Sequence, residues 1–342
     1  MRITLKDIAE KANVSISAVS LVLNDKPCRI SQKKREKIKQ IAEEYNYAPN
    51  QIARSLVTRQ TKTLGLIIPD IENIFFSSLA KNIEEQCRKE GYMLIIVNSN
   101  DNYQDDLDLL NLLNARSVDG IYIIPSNESY KSNHTLVTKL KSLKIPYIMM
   151  DRVFPEHACD KVLFDNEYGA YLAVRHLLEN GHRKIACISS TDSNNGRLRL
   201  GGYKKAMEEF SCEIKSNYII EGDYRIESGY KAGNKLINED ITAVFISNDM
   251  MSLGFLKSLY EQNKKVPDDY SVVSYDHSIY PYVFGVELTS VEQNIKILTE
   301  NACQLMFRKL KGPRTPNEEI CLIPTLIKKN SVTNLNNIDK II

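Results

Sequence analysis

The chain lacks the features that define several protein classes. No apolar run approaches the 18 residues that a membrane-spanning helix needs. The N-terminus carries charges at Arg2, Lys6 and Asp7 with no apolar signal segment, so no signal peptide is expected. The seven cysteines include no C-x-x-C pair and the histidines form no cluster, which argues against a disulfide framework or a zinc site. We therefore predict a protein of a reducing compartment, the cytoplasm, with no metal or other cofactor.

Motifs of common α/β enzymes are also missing. No G-x-G-x-x-G, G-x-x-x-x-G-K or G-x-S-x-G stands at the end of a predicted strand. His277 follows a predicted strand, but a single histidine there is more often structural than catalytic. We predict that the chain is not an enzyme, and an α/β enzyme is the alternative that a turnover assay would reveal.

Charge is distributed unevenly along a chain long enough for more than one domain. The 342 residues are 43% apolar and 26% charged, as in ordinary globular proteins. Residues 1–62 contain 13 Lys and Arg and 6 Asp and Glu, a net charge of +7, whereas residues 63–342 carry −5. A basic N-terminal module on a mildly acidic body indicates that one end of the molecule binds phosphates.

The N-terminal segment has the pattern of a helix-turn-helix followed by a third helix. Thr4 and Asp7 resemble a capping box, Ser15 is a good N-cap for a second helix, and a third helix starts near Ser31. Short or uncharged side chains on the open face of the second helix would allow close approach to a surface. A three-helix subdomain that binds nothing is the alternative. The residues predicted to face inward are Leu5, Ile8, Ala9, Ala12, Val19, Val22, Leu23, Ile38, Ile41, Ala42 and Tyr45.

A short polar segment follows the third helix. Pro49 ends that helix, and Asn50 can cap a new one that runs to Val57. This helix is too short to be stable alone in water, so we expect it to form when something binds it. A plain interdomain linker is the alternative.

From Thr63 onward, buried strands alternate with amphipathic helices. This pattern predicts parallel sheets covered on both faces, in two similar subdomains that hold a ligand at the carboxyl ends of the strands. The predicted strands are 64–69, 93–98, 120–125, 146–151, 161–166, 184–189, 243–249 and 270–276. The predicted helices include 75–91, 167–181, 228–238 and 251–263.

Polar residues follow several of these strands. Asp or Asn in this position often caps the next helix, and this interpretation is favoured for Asp70, Asn166 and Asp249. For Arg152, Arg199 and Asp276 we favour binding of a hydroxyl-rich small molecule. The other polar residues at predicted strand ends are Asp151, Asp165, Asn248 and His277.

Several motifs in a fixed order extend over nearly the whole chain. They are TLKDIAEKANVS and AVSLVLND, YNYAPNQIARSL, LGLIIPDIENIFF, GRLRLGGYKKAM, AVFISNDMMSLG, VVSYD and LTSVEQN. The sequence thereby resembles the lactose/galactose-repressor (LacI/GalR) family of bacterial transcription regulators, especially its catabolite-control and sugar-repressor branch. A periplasmic binding protein would share the ligand crevice but lacks a basic helix-turn-helix.

The resemblance implies a domain order and a fold. The fold is α/β, with an all-α helix-turn-helix domain (1–48), a hinge helix and linker (49–62), and a two-subdomain effector domain like periplasmic binding proteins with parallel sheets. The effector subdomains are expected at 63–163 plus 293–324 and at 164–292 plus 325–342, with crossovers near 163, 292 and 324. A tetramerising heptad tail is not expected.

The resemblance also implies how DNA is bound. A homodimer would place two second helices in successive major grooves of a pseudo-palindromic operator, and Leu56 would wedge into the minor groove. Ser15 and Ser20 would contact phosphates, and Ile16 and Ser17 would lie against bases. The family usually has Arg where this chain has Leu21, so the half-site should differ from the usual one. The full DNA-binding set is Thr4, Ser15, Ile16, Ser17, Ala18, Ser20, Leu21, Asn24, Asn50, Ala53, Arg54 and Leu56.

Finally, the resemblance implies a repressor of carbohydrate-utilisation genes that a small effector, a sugar, controls. Arg199 would hold a ring oxygen or hydroxyl, Asp276 would accept hydroxyl protons, and Phe76 could stack on a sugar face. Two alternatives stay open: a regulator that responds to a phosphorylated carrier protein, and a purine- or nucleoside-responsive repressor. The full ligand-binding set is Phe75, Phe76, Arg152, Asp165, Arg199, Asn248 and Asp276.

Overall fold

The chain forms two compact units, residues 1–61 and 62–342. A computed structural model describes residues 3–47, 60–131, 134–312 and 315–336. Within these ranges no helix is both long and apolar enough to cross a membrane.

The smaller unit is built from three helices with defined caps: α1 (Leu5–Ala12), α2 (Ile16–Leu23) and α3 (Gln32–Glu44). The predicted capping box is confirmed, because the Asp7 carboxylate accepts from the Thr4 N–H at 2.8 Å and the Asp7 N–H donates to the Thr4 hydroxyl at 3.3 Å. The Ser15 hydroxyl accepts from the Ala18 N–H at 3.2 Å. The helices bury Ile8, Ala9, Ala12, Val19, Val22, Ile38, Ile41 and Ala42 against one another.

One inward prediction in this unit is wrong. Tyr45 is 44% exposed and follows the last residue of α3 instead of joining the core. Its hydroxyl accepts a hydrogen bond from the Lys11 ammonium at 3.1 Å, and the same ammonium lies 4.7 Å from its ring centroid. A phenol at a helix end can satisfy its hydroxyl and cover a lysine stem without being buried.

The larger unit alternates strands and helices, as the sequence predicts. The described strands are β1 (Thr63–Ile68), β2 (Met93–Asn98), β3 (Gly120–Ile123), β4 (Tyr147–Met150), β5 (Asp160–Phe164), β6 (Ile185–Ser189), β7 (Ile219–Glu221), β8 (Ala243–Ile246), β9 (Ser271–Asp276), β10 (Thr289–Glu292), β11 (Glu319–Leu322) and β12 (Thr325–Ile327). The described helices are α4 (Ile74–Lys89), α5 (Tyr103–Ala115), α6 (His134–Ser142), α7 (Asn166–Glu179), α8 (Asn194–Glu209), α9 (Ile226–Leu236), α10 (Asp249–Glu261) and α11 (Ile295–Lys311), with 3₁₀ turns at Glu128–Tyr130 and Ser216–Tyr218.

Among the described residues the strands form two six-stranded sheets. The first has the order β11-β5-β4-β3-β1-β2, and the second has the order β12-β10-β9-β8-β6-β7. All pairs are parallel except β10 with β12. The eight predicted strands are confirmed, and β7, β10, β11 and β12 are additional short strands.

The chain passes between the two sheets three times. It does so from β5 into α7, from β10 into α11, and from β11 into β12. At these points the strands are paired, Phe164 beside Leu322 and Glu292 beside Thr325. Helix α11 packs back on α4 and the first sheet, whereas α7 packs on the second.

Close contacts between α7 and α8, and between α9 and α10, position side chains at the ends of the strands. A Cβ added at Gly202 of α8 would lie 2.1 Å from the Glu167 carbonyl oxygen of α7. Likewise, a Cβ at Gly229 of α9 would lie 2.0 Å from the Met251 carbonyl oxygen of α10. Glycine therefore allows each helix pair to approach closely, and it brings Arg199 of α8 to Asn166 at the start of α7.

Candidate functional site

The open face of α2 is uncharged and combines hydroxyl-bearing with apolar side chains. Ser15, Ile16 and Ser17 are exposed, and the Ile16 side chain retains 48% of its accessible surface. Ala18, Ser20, Leu21 and Asn24 are half-buried at its edges. A helix with such short side chains can approach another surface without burying a charge.

The third helix of the same unit carries exposed basic residues. Lys33, Lys34 and Lys37 of α3 are exposed, and the Lys39 ammonium pairs with Asp25 at 2.9 Å. Thr4 is exposed at the start of α1, where its hydroxyl donates to Asp7 at 2.8 Å.

The predicted DNA contacts at Asn50, Ala53, Arg54 and Leu56 lie outside the described residues.

A second candidate site is a cavity between the two sheets of the larger unit. Its volume is about 20 Å³, which is room for about one water molecule in this conformation. Its walls come from the carboxyl ends of strands in both sheets, as expected for parallel α/β folds. The lining residues are Asn73, Phe75, Phe76, Asp151, Arg152, Asn195, Arg199, Tyr224, Asn248, Asp276 and Gln293.

Arg199 is the centre of the second-sheet wall. Its side chain is buried, and its Nε donates to Asn166 Oδ1 at 2.8 Å while Nη2 donates to Gln293 Oε1 at 3.1 Å. Nη1 donates to the Ser247 carbonyl and lies 3.5 Å from Asp276 Oδ1. The guanidinium carbon is 3.8 Å from the Tyr275 ring centroid. These contacts fix the guanidinium in one plane beside the cavity.

Arg152 occupies the facing wall. Its Nη1 donates to Asp101 Oδ1 at 2.6 Å, and Asp101 is held in turn by the backbone and side-chain N–H groups of Asn127, both at 2.7 Å. The Arg152 guanidinium also lies 5.2 Å from the Phe76 ring centroid and 5.8 Å from that of Tyr224. The cavity is therefore lined by two aromatic rings that a buried cation orients.

Two buried polar atoms of the cavity have no hydrogen-bond partner among the described residues: Asp151 Oδ1 and Gln293 Nε2. Asp151 has a left-handed backbone with φ of 56°, and Asp276 has φ of 94°. Non-glycine residues rarely adopt such angles, which concentrate at binding and catalytic sites. One unpaired acceptor and one unpaired donor in the same cavity suit a ligand that carries hydroxyl groups.

Burial governs the ionisation of these carboxyl groups. It raises the pKa of Asp151, against the attraction of Arg199 and Arg152. It raises the pKa of Asp276 well above its ordinary value, although Arg199 opposes the shift. Outside the cavity lining, burial also raises the pKa of Asp106 and Asp249.

The contribution of these buried carboxyl groups to stability should therefore increase as the pH falls from neutral. A raised folded-state pKa means that the folded protein binds the proton more tightly than the unfolded chain. The resulting stabilisation is complete below the unfolded aspartate pKa, about 3.8, and is lost as the pH rises through the folded value. Asp151→Asn removes one buried charge, so it should flatten the pH dependence of stability. At neutral pH it should raise Tm by about 2–4 °C for each kcal/mol of burial cost that it removes.

Thermal melts of wild type and variant across a pH series test this expectation. Asp268→Asn, at an exposed position, is the matched control and should leave both the midpoint and its pH dependence unchanged. An unaltered pH dependence in Asp151→Asn would contradict the burial argument for this carboxyl group.

The structure brings six of the seven predicted ligand-binding residues to the cavity. Asp165 does not line it, because its carboxylate caps α7 by accepting from the Tyr168 N–H at 2.9 Å. Asn248 lines the cavity and also caps α10, accepting from the Met251 N–H at 2.9 Å. The lining residues absent from the predicted ligand-binding set are Asn73, Asp151, Asn195, Tyr224 and Gln293, of which only Asp151 had been noted, at a strand end.

The predicted caps at Asp70, Asn166 and Asp249 are wrong by one to three positions. The caps are Asn73, Asp165 and Asn248. The Asn166 side chain instead holds Arg199. The Asp249 carboxylate accepts from the Ser274 hydroxyl at 2.6 Å and from the Ile279 N–H at 3.1 Å, so it anchors the loop after β9.

Comparison with known proteins matches both units. Residues 4–50 match the family of bacterial regulatory proteins named for LacI, and residues 174–332 match a periplasmic binding protein-like domain. The chain is 33% identical to the HTH-type transcriptional repressor PurR of Vibrio atlanticus over 97% of its length and 99% of the relative. It is also 33% identical to catabolite control protein A of Priestia megaterium, over 96% and 98%.

Solved structures agree with this assignment. The lac repressor dimer bound to operator and an anti-inducer matches with a TM-score of 0.86 and 25% identity, over 97% of this chain and all of that one. A LacI-family transcriptional regulator from Enterococcus faecium with bound ribose matches with a TM-score of 0.73 and 30% identity, over 80% and 99%. The chain has a helix-turn-helix unit that is followed in sequence by a two-sheet domain. It belongs to the LacI family of DNA-binding bacterial transcription regulators.

Proposed function

We propose that this regulator is a dimeric transcriptional repressor whose affinity for its operator is set by a sugar bound between the two sheets. The observation that carries the sugar assignment is the placement of the unpaired Asp151 Oδ1 and Gln293 Nε2 in the same cavity as the Phe76 ring. Sugar hydroxyl groups both donate and accept hydrogen bonds, and the apolar face of a sugar ring packs on aromatic rings. The relative from Enterococcus faecium holds ribose.

The charges of the cavity favour a neutral ligand. Arg152 already pairs with Asp101 at 2.6 Å, and Arg199 lies 3.5 Å from Asp276. Neither guanidinium therefore needs a ligand phosphate or carboxylate to balance its charge.

The halves of the ligand domain that move are, in this proposal, 63–163 with 293–324 and 164–292 with 325–342. A sugar that contacts both walls would favour one separation of the halves over another. This change of spacing is the means by which the ligand would alter the pairing of two DNA-binding units in a dimer. Because its target is chromosomal, we place the protein in the cytoplasm.

The loop after β9 is a suitable dimer surface. Tyr280, Tyr282 and Phe284 are 66%, 61% and 90% exposed. Asp249 fixes the start of this loop through Ser278 and Ile279. Large exposed aromatic side chains on an anchored loop are typical of protein–protein contacts.

On the DNA side, we propose that α2 enters the major groove with Ile16 and Ser17 against base edges. Leu21 there can contact a thymine methyl group but cannot donate hydrogen bonds to guanine. Leu21→Arg should therefore gain a guanine preference at one position of each half-site, worth about 1–3 kcal/mol. Selection of bound sequences from a random duplex library, wild type against variant, measures this change.

Lys26→Ala is a control for that selection, since Lys26 is exposed just beyond α2. It should weaken binding to all sequences without altering the selected half-site. Identical half-sites for wild type and Leu21→Arg would show that position 21 does not face a base.

The ligand proposal is tested by thermal melting with a panel of pentoses, hexoses and purines, followed by DNA binding with and without each stabilising compound. A sugar should raise Tm and change operator affinity, and the sugar should be recovered unaltered. A response to purines alone would reassign the site to the purine-responsive alternative. A response only to a phosphorylated carrier protein would favour the other alternative, and conversion of the sugar would reveal an enzyme.

A further inference from the structure

Two of the seven cysteines meet in the core of the first sheet. All seven carry free thiols. Cys87 lies near the end of α4 and Cys303 lies midway along α11, two helices that pack on each other. Both belong to the same buried cluster, and the Tyr122 hydroxyl of β3 donates to Cys303 Sγ at 3.4 Å. Each thiol is also the main cause of the other's pKa shift.

The two thiols are chemically unequal. The hydrogen bond from Cys87, with a further contribution from Tyr122, lowers the pKa of Cys303. The same contact raises the pKa of Cys87, which keeps its proton. Since the thiolate is the reactive form of cysteine, Cys303 is the nucleophile of the pair.

The two thiols also differ in their accessibility to small molecules, and Cys303 is again the more reactive one. Cys303 borders a surface depression between α4 and α11, which Gln86, Gln304 and Phe307 also line. Cys303 is 4% exposed, whereas Cys87 is fully buried. A small oxidant would therefore reach Cys303 first.

We propose that Cys87 and Cys303 are a peroxide-sensitive thiol pair that closes to a disulfide between α4 and α11. The Cys303 thiolate attacks one oxygen of hydrogen peroxide, the O–O bond breaks, and Cys303 becomes a sulfenic acid while the other oxygen leaves as hydroxide and takes up a proton. The Cys87 sulfur then attacks Cys303 Sγ while its thiol proton passes to the departing hydroxyl group, so that the S–O bond breaks and water leaves. Two thiols are oxidised and one peroxide is reduced to two waters.

The bond would join the two helices that begin at the ligand cavity. Asn73, Phe75 and Phe76 lie at the start of α4, and Gln293 lies two residues before α11. Cys87 is twelve residues beyond Phe75, about 18 Å along the helix. A covalent link there would restrict how α4 and α11 move relative to each other, so oxidation should change sugar affinity; this last step alone rests on the proposed function.

The test is oxidation of the full chain with hydrogen peroxide, followed by intact-mass measurement and peptide mapping under non-reducing conditions. We expect the loss of two hydrogens, one crosslinked peptide joining Cys87 and Cys303, and full reversal by dithiothreitol. Tyr122→Phe removes the hydroxyl that supports the thiolate and should slow the reaction. Cys321→Ser, at an exposed cysteine, is the control and should react like wild type.

Cys303→Ser should abolish the crosslink and the thiol loss together, and Cys303→Ala checks the result in case serine is poorly tolerated in the core. Sulfinic acid at Cys303 without a crosslink, or a disulfide between other cysteines, would overturn the proposal. A mapped Cys87–Cys303 bond with unchanged ribose affinity would retain the thiol pair and refute only its link to the cavity.

Discussion

Raising the salt concentration from about 50 to 200 mM should weaken DNA binding by about 10³–10⁵-fold. This range corresponds to about six to ten phosphate contacts, each of which releases counterions when it forms. The basis is the net charge of +7 on residues 1–62 against −5 on the rest of the chain. Exposed Lys33, Lys34 and Lys37 on α3 place part of that charge next to the helix-turn-helix.

Filter binding across a salt series gives the slope directly. Replacing one phosphate-contacting lysine of α3 with alanine should reduce the slope by about 1, and affinity should fall equally for all sequences. Lys81→Ala, at an exposed position of α4 in the other unit, is the control and should leave the slope unchanged. A flat salt response of the wild type would exclude phosphate contacts as the main source of affinity.

Arg199→Ala should abolish the ligand response while DNA binding stays within a few-fold of wild type. Truncating a charged hydrogen-bond partner in a closed site costs about 2–5 kcal/mol of binding free energy. The structure adds a second effect. Asp276 and Gln293 both lose their guanidinium partner in the variant, so its Tm should also fall.

Calorimetry with the ligand identified by the melting screen measures this loss, at a temperature where both proteins are folded. Arg197→Ala is the matched control, since Arg197 is exposed two residues earlier on α8 and bonds only the Thr191 carbonyl among the described residues. Arg199→Lys keeps the charge but not the planar set of donors, and it should recover stability more than affinity. Wild-type affinity in Arg199→Ala would remove Arg199 from the site.

The fold followed from the sequence wherever a strand was a long apolar run. Runs such as LGLIIP and MLIIVN were found where they were predicted. The missed strands β7, β10, β11 and β12 have three or four residues each and include polar residues, so they form no apolar run that stands out from a loop. The antiparallel pairing of β12 likewise depends on a tertiary neighbour, β10, and not on its own residues.

The helix N-caps show a second limit of prediction from the sequence. Asp165-Asn166 and Asn248-Asp249 are each pairs of good N-cap residues, so sequence alone does not decide which residue caps the helix. The end of the preceding strand decides it, and in both pairs the first residue is the cap. The second is thereby free for a tertiary role, as Asn166 shows by holding Arg199.

Within the cavity, residues after the strands that the sequence predicts were found, and residues after the strands that it does not predict were missed. Arg152 and Asp276 followed predicted strands, whereas Tyr224 and Gln293 follow β7 and β10. Arg199 lies within a helix and follows no strand; its predicted binding role came first from its expected place in the crevice, and the family resemblance then supported it. Contacts between distant parts of the chain form only after both sheets are assembled.

The three connections between the sheets also determine which deformations are easy. With Phe164 beside Leu322 and Glu292 beside Thr325, the connections lie side by side, and the middle one, through Ile323 and Pro324, is bounded on each side by a paired strand. Three connecting segments that lie side by side form a thin layer, which bends easily but strongly resists stretching and shear. We therefore expect the two proposed halves of the ligand domain to rotate about these connections more easily than they separate or slide, and a ligand that bridges both halves would favour one rotation.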